Sequence, residues 1–270
     1  MTRKLGCCTW TFATSLEETA ARIRRAGLDG VELFGDADNL DPVRAKDILA
    51  NEGLEVFSIT PGDADISHPD GAVRAQGLAY YERLVDWAAT IGQPLISCHG
   101  LVTRIKPVST QEEEDALLVE STRRVCYLAK ARGLSVVFEI LNRYESHQVR
   151  TVAEGLAFLD KVGADNLRLL PDAYHMNIEE ADPAGALRQG GSAIGLYHVA
   201  DSNRCAIGEG HTDFASQIRV INEIGYQGPI IIETSAPGPN PFTPVKGEGF
   251  RDIIEGHLVT SRERLREMGA

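Results

Sequence analysis

Several features that identify whole classes of protein are missing from this 270-residue sequence. No apolar run approaches the roughly 18–20 residues of a membrane-spanning helix, so we expect no membrane partner. The chain has no long basic block and its formal net charge is −12, which argues against a nucleic-acid partner. Hydrophobic residues make up 43% and charged residues 24% of the chain, a balance that excludes a disordered or collagen-like protein.

Cysteine is also scarce. The chain has five cysteines, an odd number, and no C-x-x-C pair, so we expect no disulfide framework and a reducing, cytoplasmic compartment. The N-terminus has a basic start and a short apolar stretch, as a signal peptide does. However, threonines interrupt this stretch, and Glu17 and Glu18 follow too soon for a cleavage site. We therefore interpret the segment as a first β-strand.

The chain has no Pro- or Ser-rich linker and no glycine-rich phosphate motif, which a doubly wound open sheet would show early. Instead, short apolar runs alternate with segments of helical period. Strands are predicted at residues 5–12, 30–34, 54–60, 94–98, 134–140, 167–170, 194–199 and 229–233. Helices are predicted at residues 16–26, 43–51, 73–91, 111–131, 152–162, 184–188, 214–224 and 249–268. Eight such units in 270 residues, about 34 residues each, predict a single (β/α)8 TIM barrel, an α/β fold, over residues 1–270.

Polar residues end the last four predicted strands, where the chemistry of such barrels is found. These residues are Glu139, Asp172, His198 and Glu233. A single carboxylate or imidazole at such a position is more often solvated or hydrogen-bonded. Four on neighbouring strands would converge, and three carboxylates in one place repel unless a cation lies among them. Three oxygen ligands and one imidazole favour Mn²⁺, Mg²⁺ or Co²⁺, so the pattern predicts a divalent metal site.

The loops beyond these strands are dense in the donors and acceptors that a polyhydroxylated ligand needs. Trp10, at the mouth of the first strand, is a candidate to stack on a sugar face, and His99 ends the fourth strand. Glu179 and Glu180 are interpreted as the first turn of a helix, where acidic side chains interact favourably with the helix dipole.

Four sequence motifs resemble the ketose 3-epimerase family (tagatose and allulose 3-epimerases) of the xylose-isomerase-like barrel superfamily. They are Glu139-Ile-Leu-Asn-Arg-Tyr-Glu145, Asp172-Ala-Tyr-His175-Met-Asn-Ile-Glu-Glu180, His198-Val-Ala-Asp-Ser-Asn-Arg204 and Glu233. The resemblance covers the whole chain in architecture and is specific mainly from residue 139 onward. Residues 97–100 depart from the family pattern, and residues 6–10 and 61–68 match it only loosely, so the identity of the sugar stays open.

The resemblance implies a small-molecule sugar substrate, a homodimer or homotetramer, and a Mn²⁺, Co²⁺ or Mg²⁺ ion, with Mn²⁺ preferred. The ion would be held by the four strand-end residues Glu139, Asp172, His198 and Glu233. It further implies that Glu139 and Glu233 transfer protons. The residues implied to hold the substrate around its first carbons are Glu145, His175 and Arg204.

Epimerisation beside a ketone requires that a C–H proton leave one face and that another arrive on the opposite face. The leading hypothesis is therefore metal-dependent C3 epimerisation of a free ketose or keto-sugar derivative through an enediolate. An aldose–ketose isomerase, or a hydroxypyruvate-type relative, would use the same groups and stays open. Metal-dependent phosphodiester cleavage would need more histidines and a basic groove. A non-catalytic sugar-binding barrel would not need two proton-transfer carboxylates.

Overall fold

Eight parallel strands form a nearly closed barrel in the computed structural model, which describes residues 2–238, 240 and 243–270. The strands are β1 Leu5–Cys8, β2 Gly30–Phe34, β3 Glu55–Thr60, β4 Leu95–Cys98, β5 Val136–Glu139, β6 Leu167–Leu170, β7 Tyr197–Val199 and β8 Ile230–Ile232. Each strand from β1 to β5 pairs with the next, and β8 pairs with both β1 and β7. The predicted TIM barrel is confirmed.

The barrel closes between β6 and β7 through isolated contacts. Leu169 pairs with Ile194 and Asp172 pairs with His198 in single parallel bridges. The His198 backbone N–H also donates to the Pro171 carbonyl over 3.1 Å. This closure places Asp172 directly beside His198 at the carboxyl end of the sheet.

The helices lie between the strands along the chain. They are α1 Leu16–Arg25, α2 Pro42–Asn51, α3 Gly71–Ile91, α4 Gln111–Ala131, α5 Val152–Val162, α6 Ala173–Glu179, α7 Pro183–Gly190, α8 Phe214–Glu223 and α9 Phe250–Glu267. Every helix from α1 to α8 follows a Ser, Thr or Asp whose side-chain oxygen accepts a backbone N–H two or three residues on. These caps satisfy N–H groups that a helix start leaves without an internal partner. None of the helices in the described part of the chain is long and apolar enough to cross a membrane.

The core has two parts because the strands are covered on both faces. The larger part packs the outer faces of the strands against the helices. The smaller part fills the barrel interior with the buried side chains of Cys8, Val137, Leu170, Leu196 and Ile231. The polar strand ends lie beyond this interior layer.

The first predicted strand is too long. It ends at Cys8, and residues Thr9–Phe12 form a 3₁₀ turn. The Thr11 hydroxyl donates to the Cys8 carbonyl over 3.0 Å, and the Thr9 hydroxyl accepts the Phe34 N–H over 2.9 Å. The local bond between Thr11 and Cys8 competes with a strand ladder, and the Thr9 bond ties the turn to β2. The turn carries Trp10 into the mouth of the barrel.

Helix α6 was not predicted, because its seven residues are too few to show helical periodicity. Asp172 caps it, and its Oδ1 accepts the Tyr174 N–H over 2.7 Å. The interpretation of Glu179 and Glu180 as a helix start is wrong, since Glu179 is the last residue of α6. Glu179 accepts hydrogen bonds from the backbone and guanidinium of Arg143, and Glu180 accepts the Val152 N–H. The Glu179 carboxylate therefore connects α6 to the loop after β5, and the Glu180 carboxylate connects the end of α6 to the start of α5.

Candidate metal centre

The four predicted ligands meet at the carboxyl end of the barrel. Glu139 is the last residue of β5, Asp172 caps α6, His198 lies in β7 and Glu233 follows β8. One ligand atom from each lies within 4.8 Å of the others, and all four residues are buried. The sequence-predicted set is thus brought together at one point.

An imidazole nitrogen at the centre of this cluster lacks a partner. His198 Nδ1 lies 3.3 Å from Glu233 Oε2 and 3.7 Å from Glu139 Oε1. It is buried and makes no hydrogen bond to any residue the structure describes. A buried nitrogen without a partner is costly in a native protein unless an ion or another ligand binds it. Together with three carboxylates, this nitrogen fits a divalent cation that prefers oxygen and imidazole ligands.

Glu32 holds the other nitrogen of this imidazole. Its Oε2 lies 3.1 Å from His198 Nε2 and accepts a hydrogen bond of 2.6 Å from the Ser58 hydroxyl. Thr60 also donates to the Glu32 carboxylate, and Glu32 is only 1% exposed. A carboxylate on the second nitrogen fixes the orientation of a metal-ligating histidine and increases its basicity. Glu32 was not predicted from the sequence, although an acidic residue inside the apolar run of β2 was a signal for it.

Arg204 carries the positive charge nearest the cluster. Its Nη1 lies 3.0 Å from Glu233 Oε2 and 3.2 Å from Asp172 Oδ2. The guanidinium also lies over the Tyr174 ring, 4.0 Å from the ring centroid. The backbone of Arg204 is left-handed, with φ of 61°, a conformation that is strained for a side chain of this size. This conformation directs the guanidinium at the site.

The two glutamates of the cluster are in different environments. Burial raises the pKa of the Glu139 carboxyl well above its usual range, with His198 opposing the shift and the other carboxylates adding to it. Burial also acts to raise the pKa of Glu233, but the positive charges of Arg204 and His198 outweigh it and hold that pKa below its usual range. Burial acts to lower the pKa of His198, yet Glu32 and Glu233 raise it well above normal. The protein alone therefore has an excess of negative charge here, which a proton or a cation neutralises.

His175 and Glu145 form a second polar group beside the cluster. His175 Nδ1 accepts the backbone N–H of Asn142 over 3.2 Å and lies 2.7 Å from the Asn142 amide nitrogen. Burial lowers the pKa of His175 to about 4, so the ring is neutral near pH 7. The Asn142 amide also donates to Glu145 over 3.2 Å. Burial raises the pKa of the Glu145 carboxyl.

A cavity of about 850 Å³ opens above the cluster. Seven of the predicted residues line it, whereas Asp172 and His198 lie behind its wall. The seven are Trp10, His99, Glu139, Glu145, His175, Arg204 and Glu233. The His99 Nδ1 lies 2.5 Å from the Gly100 carbonyl, so Nδ1 carries the proton and Nε2 is left as an acceptor. The wall also includes Ser202 and Asn203 of the motif that ends at Arg204, and the polar residues Thr60, Asp63 and Lys246, which were not predicted. The sequence positions of these last three carry no pattern, because they gather only when the loops fold over the barrel.

Comparisons with known proteins agree with this architecture. A family model described as xylose isomerase-like TIM barrel matches residues 20–255. An L-ribulose 3-epimerase of Mesorhizobium japonicum is 35% identical over 229 residues, which are 82% of this chain and 76% of the relative. A ketose 3-epimerase of Arthrobacter globiformis is 32% identical over 241 residues, 86% of this chain and 83% of the relative.

Two further similarities bear on the reaction. A 3-dehydro-D-guloside 4-epimerase of Escherichia coli is 29% identical over 253 residues, 90% of this chain and 94% of the relative. The solved structure of a D-allulose 3-epimerase from Methylomonas sp. in complex with D-allulose superposes with a TM-score of 0.86. It is 25% identical and covers all of this chain and 98% of that one. All four of these relatives are named epimerases.

Proposed function

This chain belongs to the xylose isomerase-like TIM barrel family, among its ketose 3-epimerases, and on that basis we propose that it interconverts the C3 epimers of a free ketose with a bound divalent metal ion. It is an enzyme of the isomerase class, as its relatives are. The proposed metal ligands are the four strand-end residues Glu139, Asp172, His198 and Glu233. Mn²⁺ is the proposed ion because three carboxylates and one imidazole suit it. The homodimer or homotetramer and the cytoplasmic location expected from the sequence stay predictions.

One observation carries the proposal. Two carboxylates, from Glu139 and Glu233, line the same cavity from strands three places apart and lie 3.7 and 3.3 Å from the unpartnered His198 Nδ1. A substrate carbon between them presents one face to each carboxylate. Inversion at a carbon requires groups on both faces, whereas a binding protein requires neither.

The proton transfers follow from this arrangement. One glutamate removes the C3 proton as a general base, and the other returns a proton to the opposite face as a general acid. The roles exchange for the reverse reaction. When bound, the ion supplies a Lewis acid that polarises the ketone and makes the neighbouring C–H proton more acidic.

Arg204 and His175 are proposed to hold the reacting part of the substrate. Both line the cavity, and Arg204 Nη2 lies 3.4 Å from His175 Nε2, so the two side chains present adjacent polar groups. Arg204 also fixes the Glu233 carboxylate by its 3.0 Å contact. Fixed donors and acceptors of this kind lower the barrier by holding the substrate in a reactive orientation.

Hydrogen exchange tests the proposal. The protein loaded with Mn²⁺ is incubated in deuterated water with a panel of free ketopentoses, ketohexoses and aldoses, and NMR locates the deuterium. We expect deuterium at C3 of a ketose and formation of its C3 epimer. Deuterium confined to C1 or C2 would replace the proposal with aldose–ketose isomerisation. No exchange into any sugar of the panel would contradict both.

A second candidate is 4-epimerisation of a 3-keto sugar. It is favoured by the Escherichia coli relative, because the alignment spans 94% of that protein, a larger share than in either 3-epimerase relative. The same two carboxylates would act, since C4 of such a sugar also lies beside the ketone. A 3-keto glycoside added to the panel separates the two candidates, because 4-epimerisation places deuterium at C4.

A further inference from the structure

A second group of metal-ligating side chains lies outside the proposed active site. Cys205 and Glu209 belong to the loop between β7 and α8, and His257 lies in α9. One ligand atom from each lies within 4.8 Å of the other two. The group combines a thiol, a carboxylate and an imidazole.

The histidine of this group is held without a full set of partners. His257 is only 9% exposed, and its Nδ1 is buried and makes no hydrogen bond to any described residue. Its Nε2 lies 3.5 Å from Glu209 Oε2, too far for a strong hydrogen bond. Nε2 is the nitrogen that faces Glu209 and would bind the ion. Burial lowers the pKa of this imidazole, and the backbone of Ser235 also acts on it, raising its pKa against the effect of burial.

The loop is organised to present the other two side chains. The Glu209 N–H donates to the Ala206 carbonyl over 3.0 Å, and the Ala206 N–H lies 3.3 Å from Glu209 Oε2. Between them Gly208 adopts φ of 88°, and its N–H donates to Asp201 over 2.8 Å. Asp201 is completely buried, so the loop is anchored to the barrel. Little rearrangement is needed for Cys205 and Glu209 to bind an ion.

We propose that Cys205, Glu209 and His257 form a zinc site that is separate from the active site. A thiolate with an imidazole and one carboxylate is the ligand set that Zn²⁺ binds in tetrahedral geometry, with a fourth position left to water. The first cluster, with three carboxylates and no thiol among its four members, favours harder ions instead. Binding converts the Cys205 thiol to a thiolate, and its proton is released to the solvent.

The position of this site gives the bound ion a structural consequence. Cys205 follows Arg204, the strained residue that contacts Glu233. The Arg204 carbonyl also accepts the Ser235 N–H over 2.8 Å. An ion shared between Cys205 and His257 would tie α9 to the segment that holds Arg204 in place.

Cobalt titration tests the site, because a thiolate bound to Co²⁺ gives a charge-transfer absorption that carboxylates and imidazole do not. Co²⁺ is added to protein already loaded with Mn²⁺. We expect the thiolate band in the native protein, and we expect Zn²⁺ to displace this cobalt. In Cys205→Ser we expect the band to disappear and the protein to bind one equivalent of cobalt less. Cys126→Ala is the matched control, because Cys126 lies in α4, outside the cluster, and this variant should keep the band.

Glu209→Ala provides a second variant in which folding is not at risk, since this side chain is 48% exposed. We expect its cobalt affinity at this site to fall at least about tenfold, the loss that follows removal of a metal-site contact. The absence of a thiolate band in the native protein would overturn the proposal. So would a band that persists in Cys205→Ser or an unchanged affinity in Glu209→Ala. None of these results depends on which sugar, if any, is epimerised.

Discussion

The two halves of the barrel differ in what their strands carry to the mouth. Strands β5 to β8 lead to Glu139, Asp172, His198 and Glu233, all of which can bind a metal. Strands β1 to β4 lead mainly to cavity-lining residues without such a pattern, namely Trp10, Phe34, Thr60 and His99. The chain thus places the proposed chemistry in its second half, whereas its first half contributes one part of the cavity wall.

Glu32 connects the halves. It belongs to the first half, yet its carboxylate contacts His198 of the second, 166 residues away in the chain. The first half therefore supports the metal centre as well as lining the cavity. Substitutions in the two halves should then have effects of different kind and size.

The largest effect is expected for Glu233→Gln. This change keeps the shape and an oxygen ligand but removes the proton-transfer carboxylate. A positioned acid or base contributes about 10²–10⁴-fold to a rate, so kcat/KM for the ketose should fall by that factor. Steady-state kinetics of metal-loaded protein measures it, with the exposed Glu82→Gln as control. Full activity in Glu233→Gln would rule out its proton-transfer role.

A smaller effect is expected for Glu32→Gln. The amide no longer offers a charged acceptor to His198 Nε2, so the imidazole loses basicity and orientation. Loss of such an outer contact costs about 10–100-fold in metal affinity. Isothermal titration of the metal-free protein with Mn²⁺ measures the change. An unchanged affinity would show that the first half does not support the metal centre.

Trp10→Ala should affect substrate binding more than turnover. The indole lines the cavity and is not one of the four proposed metal ligands, and an aromatic contact contributes about 0.5–1.5 kcal/mol. We expect KM to rise by roughly 2- to 12-fold with kcat nearly unchanged. Tyr127→Ala, which removes an exposed ring from α4, is the control. A fall in kcat without a change in KM would place Trp10 in the chemical step instead.

The smallest effect is expected for Arg143→Ala. This removes the guanidinium bonds to Glu179, but the Arg143 backbone N–H still donates to the same carboxylate over 2.7 Å. The Glu179 side chain is only 4% exposed, but the Arg143 side chain is 54% exposed and solvated, so we expect the pair to contribute about 0.2–1 kcal/mol, as a solvated ion pair does. The free energy of unfolding in urea should fall by that amount and by less in the exposed Arg24→Ala. A loss of several kcal/mol would mean that the Arg143–Glu179 ion pair stabilises the whole second half of the barrel.

The fold and part of the site could be predicted from the sequence for a physical reason. Buried parallel strands are short apolar runs, and the ends of such runs are visible without a structure. The ends of the last four apolar runs are Glu139, Asp172, His198 and Glu233, so these residues could be located from the sequence. Their roles stay predictions. The single-domain division over residues 1–270 also stays a prediction.

Glu32 and helix α6 could not be found in the same way. Glu32 lies inside β2, and only the closed order of strands from β2 through β1 and β8 to β7 brings it to His198. Helix α6 has seven residues, too few for helical periodicity to be distinguished from a loop. Glu32 thus depends on tertiary structure, whereas α6 is too short to leave a local pattern.

The central claim is that Glu139 and Glu233 act on opposite faces of C3, and hydrogen exchange in single variants tests it most directly. Each C3 epimer is incubated separately in deuterated water with metal-loaded Glu139→Gln or Glu233→Gln. The remaining carboxylate should exchange the C3 proton of one epimer without converting it. The two variants should therefore exchange opposite epimers. Exchange of the same epimer by both variants would contradict the account.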